Sequence, residues 1–188
     1  CALPIYIEIL IVDDGSFIPF SNLQKSFSDP RIIWLSYSEN KGVAFARNHA
    51  VKKSTGDYIG FLDAGDAWIE NKLEKQLDVL IRNKSLFIFS SIYICRGGLK
   101  NIFYVSKCND WTKSLLIGNP IAGSCSNVLL KKELFIEAGG FDESGKLPED
   151  RDLWLRLSKI TEFSISKDVL SIINIDEDSR SFDIDKKK

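Results

Sequence analysis

Residues 5–12 (IYIEILIV) form a β-branched, nearly continuous apolar run, which predicts a strand buried on both faces. The run stops at Asp13-Asp14-Gly15-Ser16, a polar turn at the strand's carboxyl end. A short helix is predicted over 21–28 and a second strand over 31–37. Lys41-Gly42 opens a helix that runs to Lys53, with Val43, Ala46, Ala50 and Val51 on one face. Turn residues at 54–57 precede a third buried strand over 58–62. That strand also ends in an acidic turn, Asp63-Ala64-Gly65-Asp66.

Leu73, Leu77, Leu80 and Ile81 recur at helical spacing and mark a helix over 70–83. A strand follows over 86–93, then a hairpin tip over 96–101 with 102–105 returning. Residues 111–117 read as helix, 127–130 as a short strand, and 131–138 as a helix that Gly139-Gly140 ends. A helix over 149–160 turns Leu153, Leu157 and Ile160 inward. The final 15 residues become polar and finish in Lys186-Lys187-Lys188, a frayed tail whose charge would also suit anionic lipid headgroups. Strands alternating with helices through the first 90 residues predict an α/β sheet that is parallel there. Such sheets place ligands at the carboxyl ends of their strands, where the acidic turns of this chain fall.

Composition narrows the class. The chain has 188 residues, 44% hydrophobic and 27% charged, enough for one globular domain with a substantial core. An aromatic content of 11% excludes a wholly disordered chain. A net charge of −1 argues against a dedicated nucleic-acid binder, which carries a basic excess. No apolar run reaches the roughly 20 residues that span a bilayer, so a soluble domain is expected. Cysteines at 1, 95, 108 and 125, with no CxxC pair, fit neither a zinc site nor a disulfide framework, and one histidine adds nothing to them. Thiols in a reducing compartment are the expectation. The chain contains no Met and starts at Cys1, so it is expected to begin inside a longer reading frame.

Asp13-Asp14, Asp63 with Asp66, and Glu149-Asp150 are three acidic clusters. Each alone suits a turn or a helix start. Together near one sheet edge they repel, and such convergence implies a cation or polar ligand. Hard oxygens without His or Cys suit Mg²⁺ or Mn²⁺, and an ion held by one or two carboxylates bridges to substrate phosphates. A further carboxylate could take a proton from a hydroxyl.

Four segments now become specific. IVDDGS (11–16), NKGVAFARNHAVKKSTGDYIGFLDAGDAW (40–68), SNVLLKKELFIEAGGFDES (126–144) and EDRDLWLRL (149–157) resemble, in order, family 2 glycosyltransferases of the GT-A fold. The resemblance runs from about Ile5 to Ser164. It implies a Rossmann-like, mixed and mostly parallel sheet flanked by helices, in one domain over 1–175. The nucleotide-binding part would cover about 5–92 and the acceptor part about 93–175, with 176–188 as tail. It implies that Asp14 binds the base of a nucleotide donor, with Asp13 supporting the turn. Arg47 and Asn48 would lie close to the donor, and Asp63 would contact its ribose and the metal. Asp150 would be the catalytic base, with Trp154 and Arg156 as supports. The implied reaction is an inverting transfer from a nucleotide sugar, UDP-sugar favoured, to a saccharide or lipid-linked acceptor with Mg²⁺ or Mn²⁺. The implied setting is cell-surface polysaccharide or glycolipid synthesis in the cytoplasm, with the membrane's inner face as a site of peripheral association.

Two departures qualify the resemblance. The family's usual metal-binding Asp is Gly65 here, so the ligand is Asp66, Asp63 or neither. The family's first strand has no counterpart ahead of Ile5, so the truncated sheet should leave neighbouring strand edges unpaired. A non-catalytic remnant with weak nucleotide binding is the alternative. A nucleotidyltransferase is disfavoured for want of a Gly-rich, basic phosphate loop. His49 reads as a helix-surface or satisfied histidine, and Trp68 and Trp111 read as packing residues.

Overall fold

The computed structural model describes residues 6–18 and 21–175, so the tail expected at 176–188 lies outside them. β1 (Ile9–Asp14) and β2 (Ile32–Tyr37) pair in parallel, from Ile9 opposite Ile32 to Asp14 opposite Tyr37. α1 (Ser21–Ser26) lies between them in the chain, and α2 (Val43–Lys53) packs on β1. A second, six-stranded sheet has the order β3 (Tyr58–Gly60), β7 (Leu129–Lys131), β5 (Phe87–Arg96), β8 (Phe163–Ile175), β4 (Ala67–Trp68). β6 (Leu99–Phe103) is a hairpin partner of β5. The remaining helices are α3 (Lys72–Asn83), α4 (Trp111–Ile117), α5 (Lys132–Glu137) and α6 (Glu149–Leu157).

The mixed α/β architecture expected from the sequence is present, with less parallel pairing than expected. Only β1–β2 and β5–β8 pair in parallel among the described residues. The β5–β6 connection is the tight Gly97-Gly98 turn, which permits only antiparallel pairing, and β7 runs against both β3 and β5. Among the described residues β1 and β3 each have one strand neighbour, so no ladder joins the two sheets. Side chains join them instead. Glu8, just ahead of β1, accepts hydrogen bonds from the backbone N–H groups of Thr55 and Gly56 in the turn before β3.

β8 is the element that the sequence reading leaves out. It pairs with β5 from Phe87 to Arg96, with an irregularity around Ser90–Ile92 where β8 carries extra residues. Its segment VLSIINI is β-branched and apolar, which is a strand signal. β5 itself is buried from Phe87 through Ile92. An aromatic core of Phe87, Phe89, Trp111, Phe141, Trp154 and Phe163 packs edge-on and tilted against it. Leu153, Trp154 and Leu157 of α6 are wholly buried there, and they fix the helix that carries Asp150.

A polar layer crosses this core. Asn127 accepts from the N–H and Oγ of Ser90 and donates to the Ser90 and Ala122 carbonyls. Gln76 donates to the Asn127 carbonyl at 2.9 Å and accepts from Lys72 Nζ at 2.6 Å. Lys72 is 1% exposed and lies over the Trp68 ring, and burial pushes its pKa down to about 7. An unfolded lysine titrates near 10.4, so between about pH 7 and pH 10 the unfolded chain binds the extra proton. Stability from this group should therefore rise with pH across that window. Urea unfolding at several pH values should show the rise in the wild type and its loss in Lys72→Met; an equal slope in both would place the proton elsewhere.

Candidate active site

The turn after β1 is built by its own acids. Asp13 is buried, and its Oδ1 accepts from Ser16 N–H at 2.9 Å, which closes the turn. Gly15 has φ +73° and a Cβ there would lie 2.5 Å from the Asn40 nitrogen, so no other residue fits. Asp14 spans to the start of α2, accepting from Lys41 N–H at 2.8 Å and Gly42 N–H at 2.7 Å. Asn40 Nδ2 adds a bond to the Asp14 carbonyl. The carboxylate expected at a nucleotide base thus also locks the strand to the helix.

Arg47, on the second turn of α2, reaches two other elements. Its guanidinium pairs with Asp63, after β3, and with Glu149 Oε1 at 3.0 Å, at the start of α6. The Arg47 side chain is 10% exposed while its partners keep contact with water. Burial opposes the charge, but Cys125 and the two carboxylates outweigh it and raise the pKa. Asn48 turns elsewhere: its amide donates to the Phe141 carbonyl and accepts from Phe141 N–H, both at 2.9 Å. It also donates to Glu143 Oε1 at 2.8 Å, so it holds the segment after α5 against α2.

The second acidic turn explains its glycine. Asp66 N–H bonds the Asp63 carbonyl at 3.1 Å, and Gly65 has φ +95°. An Asp at that position would be strained, although nothing crowds the space. Ser126 ties the turn together, accepting from Asp63 N–H at 3.0 Å and donating to Asp66 Oδ2 at 2.6 Å. Asn174 of β8 donates its N–H to Asp66 Oδ1 at 3.0 Å. Burial raises the Asp66 pKa; those hydrogen bonds pull it back, and the nearby Asp63 charge adds to the rise.

Asp150 sits in the first turn of α6. Its Oδ2 accepts from Asn119 Nδ2 at 3.1 Å and its Oδ1 from Arg151 N–H at 2.6 Å. Of its expected supports, Trp154 lies in the core, and among the described residues its indole N–H has no partner. Arg156 pairs with Asp152 at 2.6 Å and caps the Ala138 carbonyl. Through Arg47 the structure therefore brings together Asp63, Asp66 and the Glu149-Asp150 corner.

Among the described residues no three His, Cys, Asp or Glu side chains are placed to hold a metal. Asp63 and Asp66 are two acids whose mutual repulsion shows in the Asp66 pKa. That pair fits a divalent cation taking its other ligands from diphosphate and water. The reading missed Ser126, Asn119 and Asn174. Ser126 lies within a quoted motif, whereas Asn119 and Asn174 carry no local signal. His49 packs on Tyr37 and Phe45, Trp111 lies in the core, and Trp68 donates its indole N–H to the Ser126 carbonyl at 2.7 Å.

The profile of glycosyl transferase family 2 matches residues 4–137. The chain belongs to that family. It is 27% identical over 172 residues to an uncharacterized glycosyltransferase of Rickettsia typhi, covering 87% of this chain and 53% of that protein. It is 34% identical over 157 residues to WfgD of Escherichia coli, a UDP-Glc:alpha-D-GlcNAc-diphosphoundecaprenol beta-1,3-glucosyltransferase, covering 84% and 60%. The crystal structure of Staphylococcus aureus TarS 1–349 in complex with UDP-GlcNAc shares the fold, with TM-score 0.72 and 17% identity, covering 92% of this chain and 50% of that one. The chain thus spans about half the length of the relatives it matches.

Arg47→Met should lower stability by about 3 kcal/mol, because two partly buried carboxylates lose their cation. Arg47→Lys should recover part of this, since one ammonium cannot fork to both acids. Urea unfolding measures both.

Proposed function

We propose that this chain forms the donor-binding and base-bearing part of an inverting glycosyltransferase. It moves a sugar from a nucleoside diphosphate sugar, UDP-sugar favoured, to a hydroxyl of a saccharide or lipid-linked acceptor. The setting is cell-surface polysaccharide or glycolipid synthesis, in the cytoplasm at the inner membrane face. The observation that carries the reading is the Arg47 bridge, which sets the Asp63–Asp66 turn against the corner holding Asp150. The donors named for WfgD and TarS support the choice of UDP.

The chemistry follows from the residues. Asp150, oriented by Asn119 and Arg151 N–H, takes the proton of the acceptor hydroxyl. The hydroxyl oxygen attacks the anomeric carbon from the face opposite the departing diphosphate, so configuration inverts. Asp13 and Asp14 hold the turn that meets the donor's base and sugar. Asp66 and Asp63 would hold Mg²⁺ or Mn²⁺, which when bound supplies positive charge to the leaving diphosphate. Arg47 keeps the two acid groups in register. Among the described residues no helix is long and apolar enough to cross a membrane.

One observation favours a second reading, a scaffold that binds nucleotide weakly without turnover. Among the described residues no ladder joins β1–β2, which carries Asp13 and Asp14, to the larger sheet. Calorimetric titration with UDP and GDP, with and without Mn²⁺, separates the readings. The transferase predicts Mn²⁺-dependent UDP binding, and its loss in Asp66→Ala. Asp150→Asn should cut turnover by about 10²–10⁴-fold with UDP binding unchanged. Turnover and binding falling together would make Asp150 a donor-site residue.

A further inference from the structure

The turn 63–66 carries acids only at its two ends, because Gly65 takes the left-handed backbone that the turn requires. A cation held there depends on where Asp63 and Asp66 present their oxygens. An untethered aspartate samples several rotamers, and ordering it on an ion costs part of the binding free energy. Here that freedom is removed by neighbours that are not acids.

Asp66 leads directly into β4, whose Ala67 lies opposite Ile172 of β8. The antiparallel pairing brings Asp66 alongside the end of β8, where the Asn174 N–H donates to Asp66 Oδ1 at 3.0 Å. The Asn174 side-chain amide donates to the Gly65 carbonyl, so one residue grips both the carboxylate and the backbone before it. At the other oxygen, the Ser126 hydroxyl donates to Asp66 Oδ2 at 2.6 Å. Each oxygen of Asp66 thus accepts one hydrogen bond and keeps a second lone-pair direction.

Ser126 holds both acids. It is wholly buried, and its Oγ also accepts from Asp63 N–H at 3.0 Å. A hydroxyl has a single hydrogen, and here that hydrogen is committed to Asp66. Ser126 is itself fixed through its carbonyl, which accepts from Trp68 Nε1–H at 2.7 Å and from the Ser171 hydroxyl at 3.1 Å. Arg47 takes Asp63 Oδ1 and so sets the remaining carboxylate.

We propose that Ser126 and the Asn174 N–H are positioning groups for a divalent cation at Asp63 and Asp66. They let Asp66 serve where Gly65 offers no carboxylate. The proposal rests on the cation-binding part of the transferase reading and adds the residues that set its affinity. Neither group is a ligand; both act through Asp66. Partners one bond removed from a metal typically change its affinity by about 10–100-fold when lost.

Calorimetric titration of the 188-residue chain with UDP, without metal and with Mn²⁺, tests this. The readout is the factor by which Mn²⁺ tightens UDP binding. Ser126→Ala should cut that factor by about tenfold or down to one, with metal-free UDP binding unchanged. Asn174 offers variants outside the core, since it is exposed. Asn174→Pro deletes the N–H that meets Asp66, whereas Asn174→Ala keeps it. The factor should therefore fall in Asn174→Pro and hold in Asn174→Ala, and this pair decides if Ser126→Ala does not fold. Ser171→Ala removes a buried hydrogen bond from the Ser126 carbonyl, so it should lower the thermal midpoint and leave the factor in place. An unchanged factor in folded Ser126→Ala, or equal factors in the two Asn174 variants, would overturn the proposal. A wild-type chain that binds UDP equally with and without Mn²⁺ would remove the cation and this positioning role together, and leave the donor site standing. A wild-type chain that binds no UDP would sink the transferase reading itself.

Discussion

One guanidinium organises this protein. Arg47 lies almost wholly inside the molecule, yet its charge is met from two directions, by Asp63 after β3 and by Glu149 at the head of α6. A lysine would serve only in part, because its single ammonium lacks the planar fork that engages two separated carboxylates. Removing a buried cation from water is expensive, and the arrangement holds only because both acids arrive with good geometry. The Phe141 ring lies 5.4 Å from the guanidinium and closes the remaining side. The Asn48 amide, one residue on, fixes the same Phe141 backbone. Adjacent residues of α2 thus join the strand-end turn, the segment after α5, and the helix that bears Asp150.

A second set of contacts supports the first from beneath. The Asp63–Asp66 turn is held by Ser126 and by Asn174 of β8, and the Ser126 carbonyl accepts from Trp68 and Ser171. Asn127, the next residue, satisfies the backbone of buried β5 through Ser90. The Asp63–Asp66 turn therefore rests on a hydrogen-bonded layer that continues into the core. Buried polar groups are tolerated when every member has a partner, and such layers fix a unique arrangement. Burial and the nearby Asp63 charge raise the Asp66 pKa, and the hydrogen bonds that hold its two oxygens offset part of that rise.

Local chemistry made much of this legible. The IVDDGS and LDAGDAW segments announce strands ending in acidic turns, because apolar runs and turn residues act over a few positions. The acids of 149–150 stand out for the same reason. The carboxylates' partners were less accessible. Asp14 bonds backbone 27 and 28 residues away, and Arg47 reaches Glu149 across 102 positions. Nothing in a local window distinguishes Asn119 or Asn174 from any surface amide. β8 escaped notice because its first half, FSISKD, reads as polar, while its burial depends on β5 alongside. Gly65 looked like a lost ligand from the sequence; its positive φ shows that the turn itself requires it.

The central claim is that Arg47 couples the donor-side turn to the base-bearing helix. A double-mutant cycle of Asp63→Asn and Glu149→Gln, read by urea unfolding, addresses it directly. With Arg47 present, the two substitutions should be non-additive by about 1 kcal/mol, since they share one cation. In an Arg47→Met background they should add. Additivity in both backgrounds would contradict the account, and would make the two ion pairs independent neighbours.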